Sequence, residues 1–229
     1  MRMQLPLGLG LRDDATFDNY CVGDNEHVLA SLRHLLQGTG EPYVYLWGER
    51  GVGRSHLLQA CCHALESANR SAVYLPLIEH EQLSSEMLEG MEDMDLICLD
   101  NINAVLGQRP WEEAIFHLYN RVLASDAKLI ISSDIVPSQL PCLMPDLRSR
   151  LSQGLILQVQ ALNDEQKLAV LQLRAKRRGL ELSDEVGNFL LRHYPRNMAS
   201  LFEALIQLDQ ASLVLQRKLT IPFVKSVLD

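Results

Sequence analysis

The sequence predicts an α/β protein: a mostly parallel five-stranded sheet flanked by helices, followed by a small all-helical module. Three observations carry this. Short apolar runs alternate with helical segments up to about residue 160. Those runs are apolar on both faces, as buried parallel strands must be. Beyond Asn163 only helical periodicity is left.

The first strand is the β-type run Tyr43 to Trp47, which passes through a glycine-rich turn into the apolar helix HLLQACCHAL. A second strand, AVYLPL, precedes an acidic stretch, Glu79 to Asp95, whose spacing suggests an amphipathic surface helix. DLICLDN supplies a third strand ending in Asp100. Trp111, Ile115, Leu118 and Val122 then fall at i, i+4, i+7 and i+11, one buried stripe of a helix. KLIISSD is the fourth strand, Pro137 and Pro141 punctuate a loop, MPDLRSRLS opens a short helix, and GLILQVQ is the fifth strand. Asn163 with Gln166 has the pattern of a capping box. The following helices carry stripes at Val186, Phe189, Leu190 and His193 and at Leu201, Leu205, Leu208 and Leu215. The expected organisation is a tail over 1–12, an α/β domain over 13–162 and a helical domain over 163–229.

Composition narrows the function. Of 229 residues 47% are apolar and 22% charged, ordinary for a globular chain and against disorder. The formal charge of −8 argues against gripping nucleic acid by charge alone. No apolar run approaches the ~20 residues of a membrane span, and the N-terminus lacks a signal-peptide pattern, so a cytoplasmic protein is expected. Cys21, Cys61, Cys62, Cys98 and Cys142 form no C-x-x-C pair and read as reduced thiols. The seven histidines lack metal-ligand spacing, so no protein-bound zinc is expected.

The chemistry sits in Gly48-Glu-Arg-Gly-Val-Gly-Arg-Ser55, of the frame G-x-x-x-x-G-[K/R]-S, between a strand and a helix. Gly51, Val52 and Gly53 let backbone N–H groups face a polyphosphate, and the helix start adds partial positive charge. Ser55 offers a hydroxyl to Mg²⁺. Arg54 stands where such loops normally carry Lys; it keeps the charge but is larger and planar, so binding should survive better than hydrolysis. Asp100 has the place of the second Mg²⁺-holding carboxylate. Asn101 follows where many ATPases place an acidic residue, and an amide is no general base, so slow intrinsic hydrolysis is expected.

At these residues the chain resembles the AAA+ ATPases and, within them, the bacterial replication initiator DnaA and its Hda-like regulatory relatives. The resemblance covers nearly the whole chain and is carried by TFDNYCVGDN (Thr16 to Asn25), GERGVGRSHL, LICLDNI, LIISSD, MPDLRSRL and RKLTIPFVKSVL. It implies a negative regulator of replication initiation, a nucleotide-bound protein that stimulates ATP hydrolysis by DnaA and is not itself an efficient enzyme. It further implies that an N-terminal segment, here Gln4, Leu5, Leu7 and Leu9, docks on the DNA polymerase III β sliding clamp. Arg150 takes the arginine-finger position, with Arg148 close by. Ser133 and Asp134 correspond to the sensor I region; the sensor II arginine falls on Ala199, with Arg196 one turn earlier. Tyr20 and Val22 lie in the adenine-contacting stretch, and His56 directly follows the phosphate loop. Adenine nucleotide, ADP in preference to ATP, and Mg²⁺ are the implied ligands, and the cytoplasm, with nucleoid association through the clamp, the implied location. A homodimer is compatible with the resemblance. Direct DNA binding is not expected, because seven carboxylates lie between Glu79 and Asp95 and the chain stops where initiators continue into a DNA-binding domain. An autonomous AAA+ ATPase, such as a helicase loader or replication accessory factor, is the alternative.

Overall fold

A computed structural model describes residues 11, 15–215 and 217–228. They form two compact units: one from the described residues up to Glu49 with Gly53–Gln160, the other from Arg50–Val52 with the residues from Ala161 onward.

The first unit is built on five strands, β1 (Tyr43–Trp47), β2 (Ala72–Pro76), β3 (Leu96–Asp100), β4 (Lys128–Ser133) and β5 (Leu155–Gln158). Their order is β2-β3-β4-β1-β5, and every pairing is parallel. Parallel neighbours need crossover connections; α1 (Glu26–Leu36) precedes β1, and α2 (Arg54–Ser67), α3 (Arg109–Leu123) and α4 (Pro145–Leu151) supply three of them. All five residues of β3 are buried, as the continuous apolar run predicts. Alternation sends Tyr43, Tyr45, Ile97, Leu99, Leu129 and Ile131 into one core with Trp111, Ile115 and Leu118 of α3. The Tyr43 ring meets Tyr119 edge-on at 5.0 Å, and its hydroxyl donates to the Leu151 carbonyl.

The acidic stretch is not the surface helix its spacing suggests. It forms three short 3₁₀ turns, Leu77–Gln82, Ser85–Leu88 and Met91–Asp93. Leu83, Ser84 and Glu89 are extended and Gly90 is left-handed (φ +77°), so no continuous ladder of i→i−4 bonds can form. Burial of Leu77, Leu88 and Met91 in the α3-side core holds the segment in this shape.

The α3 stripe predicted from sequence is buried as expected, and two further residues of the helix join it, Tyr119 and Glu112, the latter fully inaccessible. Its Oε1 accepts from the Gly107 and Leu143 amides (2.8 and 3.0 Å) and its Oε2 from Met144 (2.8 Å). One buried carboxylate thereby satisfies the turn before α3 and the entry to α4, which otherwise lacks a side-chain cap.

The second unit contains α5 (Asp164–Arg177), α6 (Asp184–His193), α7 (Met198–Leu215) and α8 (Ile221–Leu228). The capping box is present: the Asn163 side chain accepts from the Gln166 amide at 2.8 Å, and Gln166 accepts in return from the Asn163 amide at 2.9 Å. Leu171, Leu190, Leu201, Leu205, Leu208 and Phe223 form the core. Two stripe residues fall outside it. His193 is exposed and stacks on Phe189 (4.3 Å), and Leu215 is 53% exposed. By length and composition α7 passes as a membrane span, with mean hydropathy 1.2 over 18 residues, closer to one than the sequence reading allows. Its inner face packs in the helical core and its Asp209 pairs with Arg178 at 3.2 Å, the behaviour of a core helix.

Glu112→Ala removes the acceptor of three backbone amides. It is expected to cost about 3 kcal/mol, a drop of roughly 6–12 °C in Tm, with Glu112→Gln intermediate because one carbonyl oxygen remains. Thermal unfolding that places the alanine variant within a degree of wild type would rule out this role.

Candidate nucleotide-binding site

The C-terminal ends of the parallel strands converge on one edge, where open α/β sheets place their ligands. β1 ends at Trp47 and the chain turns through Gly51 (φ +89°) and Gly53 (φ +101°) before α2 begins at Arg54. These left-handed values exclude side chains at low cost. Gly53 is constrained twice: a Cβ there would lie 2.9 Å from Cε2 of Tyr20. No side chain caps α2, so its first N–H groups face the loop. An uncapped helix start behind a glycine-rich loop is an anion cradle. Val52 and Ser55 are half-buried within it.

Arg54 is 6% exposed, and its Nη1 has no hydrogen-bond partner among the described residues. Burial lowers its pKa, against the opposing fields of Asp100, Asp134 and Tyr45. A buried guanidinium with an idle donor fits an anion that completes the site, and a phosphate would supply both charge and acceptor.

Asp100 closes β3, 1% exposed. Its Oδ1 accepts a short hydrogen bond from the Ser132 hydroxyl, and its Oδ2 accepts from the Tyr74 hydroxyl at 2.7 Å. Burial, then the charge of Asp100, pushes the Tyr74 phenol well above its ordinary range. Asn101 is left-handed (φ +58°) and its amide donates to the Ser132 oxygen at 2.9 Å. Ser55 and Asp100 are thus both oxygen donors at the strand ends, a set suited to a hard cation such as Mg²⁺.

Ser133 and Asp134 take other partners. The Ser133 hydroxyl donates to Asn103 Oδ1 at 3.2 Å, the Asp134 amide approaches the same oxygen at 3.4 Å, and the Asp134 side chain is exposed. Ser132, one residue earlier, is the β4 side chain that touches Asp100. Sequence reasoning missed it, although strand alternation held the signal: β3 and β4 pair Leu99 with Ile131, so the residues after them are neighbours.

Beside the loop, the Tyr20 ring lies 5.5 Å from that of His56, whose Nε2 meets the Thr16 carbonyl at 2.8 Å. The Tyr20 hydroxyl is buried without a partner among the described residues, and burial raises its pKa. Val22 is half-buried and its carbonyl accepts from the Asn25 amide at 2.9 Å. Asn25 in turn exchanges two bonds with the Gln160 backbone (2.7 and 3.0 Å), fastening this segment to the end of the sheet unit.

Arg150 projects from α4 half-exposed, its Nη1 donating only a long 3.5 Å bond to Gln153 Oε1. It has no bond to Arg54, Ser55 or Asp100 among the described residues. Arg148 is exposed. Within the helical unit, Arg196 pairs with Asp164 at 2.9 Å and donates to the Leu191 carbonyl at 3.0 Å, while Ala199 is exposed on the first turn of α7. Gln4, Leu5, Leu7 and Leu9 lie outside the described residues.

The bacterial DnaA ATPase domain family matches residues 11–158, almost two thirds of the chain, and the Hda lid domain family matches residues 164–228. The chain belongs to the bacterial DnaA ATPase family. Its two matches in tandem fit an Hda-like AAA+ protein. Solved structures share the fold. Domain III of the Thermotoga maritima replication initiation protein DnaA has TM-score 0.82 and 21% identity, covering 96% of this chain and 97% of that one. AMPPCP-bound DnaA from Aquifex aeolicus has TM-score 0.72 and 23% identity, covering 90% and 66%. The Thermotoga maritima Holliday junction branch migration motor RuvB has TM-score 0.71 at 12% identity, covering 95% and 72%.

In this DnaA-type chain Gly53, the first turn of α2 and Asp100 make up a candidate nucleotide-binding site. Gly53→Ala adds a methyl group to a left-handed residue already against Tyr20. It is expected to weaken ADP binding by at least about tenfold, with the far-UV spectrum unchanged. Unaltered affinity in an equilibrium titration would show that the loop tolerates a side chain.

Proposed function

We propose that this chain is a nucleotide-bound negative regulator of replication initiation, acting on DnaA by supplying Arg150 in trans. The observation that carries the reading is the tandem of a DnaA ATPase domain with an Hda-type lid. Arg150 supports it: half-exposed, with one long contact, its guanidinium is available to a partner at little cost.

Arg54, the loop amides and Ser55 would hold an adenine nucleotide, ADP in preference to ATP, with Ser55 and Asp100 holding Mg²⁺. When bound, that cation would neutralise phosphate charge. Intrinsic turnover is slow because Asn101, not a carboxylate, follows Asp100. An arginine inserted at the γ-phosphate of an ATP-bound DnaA would stabilise charge developing on the transferred group, worth ~10³–10⁵ in rate, or about 4–7 kcal/mol. Gln4, Leu5, Leu7 and Leu9 would fill an apolar groove of the sliding clamp as an extended peptide, concentrating the protein on replicating DNA in the cytoplasm. A homodimer would place Arg150 in the partner's site and withhold it from DnaA.

The retained pair of Ser55 and Asp100 favours one competing reading, an autonomous ATPase. Single-turnover hydrolysis of ATP prebound to DnaA, with clamp loaded on DNA, separates the two. Intact protein is expected to accelerate hydrolysis at least about a hundredfold, and Arg150→Ala to abolish this while still binding ADP. Removal of residues 1–9 should lower stimulation only where clamp is required. Rapid turnover by the isolated protein, or an active Arg150→Ala, would move the autonomous ATPase into first place.

A further inference from the structure

One half-buried group at the strand ends has no assigned part in nucleotide binding: the Tyr74 phenol. It stands on β2, whose register against β3 pairs Tyr74 with Cys98 and Pro76 with Asp100. Its O–H is committed to Asp100 Oδ2 at 2.7 Å. The Ser55 and Gln59 side chains act on the same phenol, each favouring its charged form. Ser132 holds the other carboxylate oxygen, so the orientation of Asp100 is settled from both sides.

A hydroxyl has one proton and two lone pairs. Tyr74 spends its proton on Asp100 and so can meet the Ser55 hydroxyl only as an acceptor. With its proton turned toward Tyr74, Ser55 would keep its lone pairs for a cation. In that order Ser55, Tyr74 and Asp100 would present lone-pair or anionic faces and no proton toward the loop. We propose that Tyr74 is a positioning residue for the divalent cation that accompanies the nucleotide, aligning Ser55 and Asp100 as a pair without ligating the metal. This rests on the nucleotide-site reading above. A phenol that merely fills space would leave metal binding unchanged on losing its hydroxyl, and one that blocks the cation would strengthen it.

Tyr74→Phe removes only the hydroxyl. In the full chain, the affinity of a fluorescent ADP analogue is measured with EDTA and with excess Mg²⁺, and Mn²⁺ binding to the ADP complex is followed by electron paramagnetic resonance. Tyr74→Phe is expected to bind the analogue in EDTA as wild type does, to lose roughly tenfold of the tightening by Mg²⁺, and to bind Mn²⁺ correspondingly more weakly. Equal metal coupling in both proteins, stronger coupling in the variant, or a loss of metal-free binding by the variant would each overturn the proposal. Wild-type protein that binds no ADP under either condition would overturn the nucleotide-site reading itself.

Discussion

A buried carboxylate at the end of a buried strand is the constraint on which the site depends. A buried carboxylate needs polar partners in place of water, and three groups serve Asp100: the Ser132 hydroxyl, the Tyr74 hydroxyl and the nearby Arg54 guanidinium. Each comes from a different element, β4, β2 and α2, so satisfying one charge brings three elements into register. The parallel sheet supplies the geometry, since all strand ends point to one edge. The same arrangement leaves one buried donor, Arg54 Nη1, without an acceptor among the described residues. That imbalance suits an anion in the loop.

Glu112 answers a second buried charge in a different way. Its carboxylate takes three backbone amides and no cation, tying the turn before α3 to the loop that opens α4. The helix carrying Arg148 and Arg150 is therefore set by a residue far earlier in the chain. Its last turn stays accessible while its Leu147 and Leu151 are buried in the core. The role proposed for Arg150 needs this combination: a rigid base and a loosely held head group.

The end of the phosphate loop that enters α2 is held twice. Gly53 is fixed by a left-handed backbone and by the Tyr20 ring pressed against it, and Tyr20 belongs to a segment fastened by Asn25 to Gln160. The segment before the first strand is thus a structural part of the candidate nucleotide site. In the helical unit Arg196 is paired with Asp164, one turn from the exposed Ala199.

The sequence by itself determined the five parallel strands, the phosphate loop and Asp100, because these depend on local rules: continuous apolar runs, glycines where φ must be positive, and a carboxylate at a strand end. It also determined the capping box at Asn163, which needs only residues three apart. Tertiary structure decided what no period records. Leu77, Leu88 and Met91 turned an amphipathic stretch into 3₁₀ turns, because burial against α3 outweighed helical spacing. Ser132 rather than Ser133 met Asp100, because strand pairing sets which hydroxyl crosses to the neighbouring strand. Glu112 and Tyr74, unremarkable in the sequence, became polar anchors, because partners 26 to 32 residues away in the chain lie beside them only once the sheet has formed.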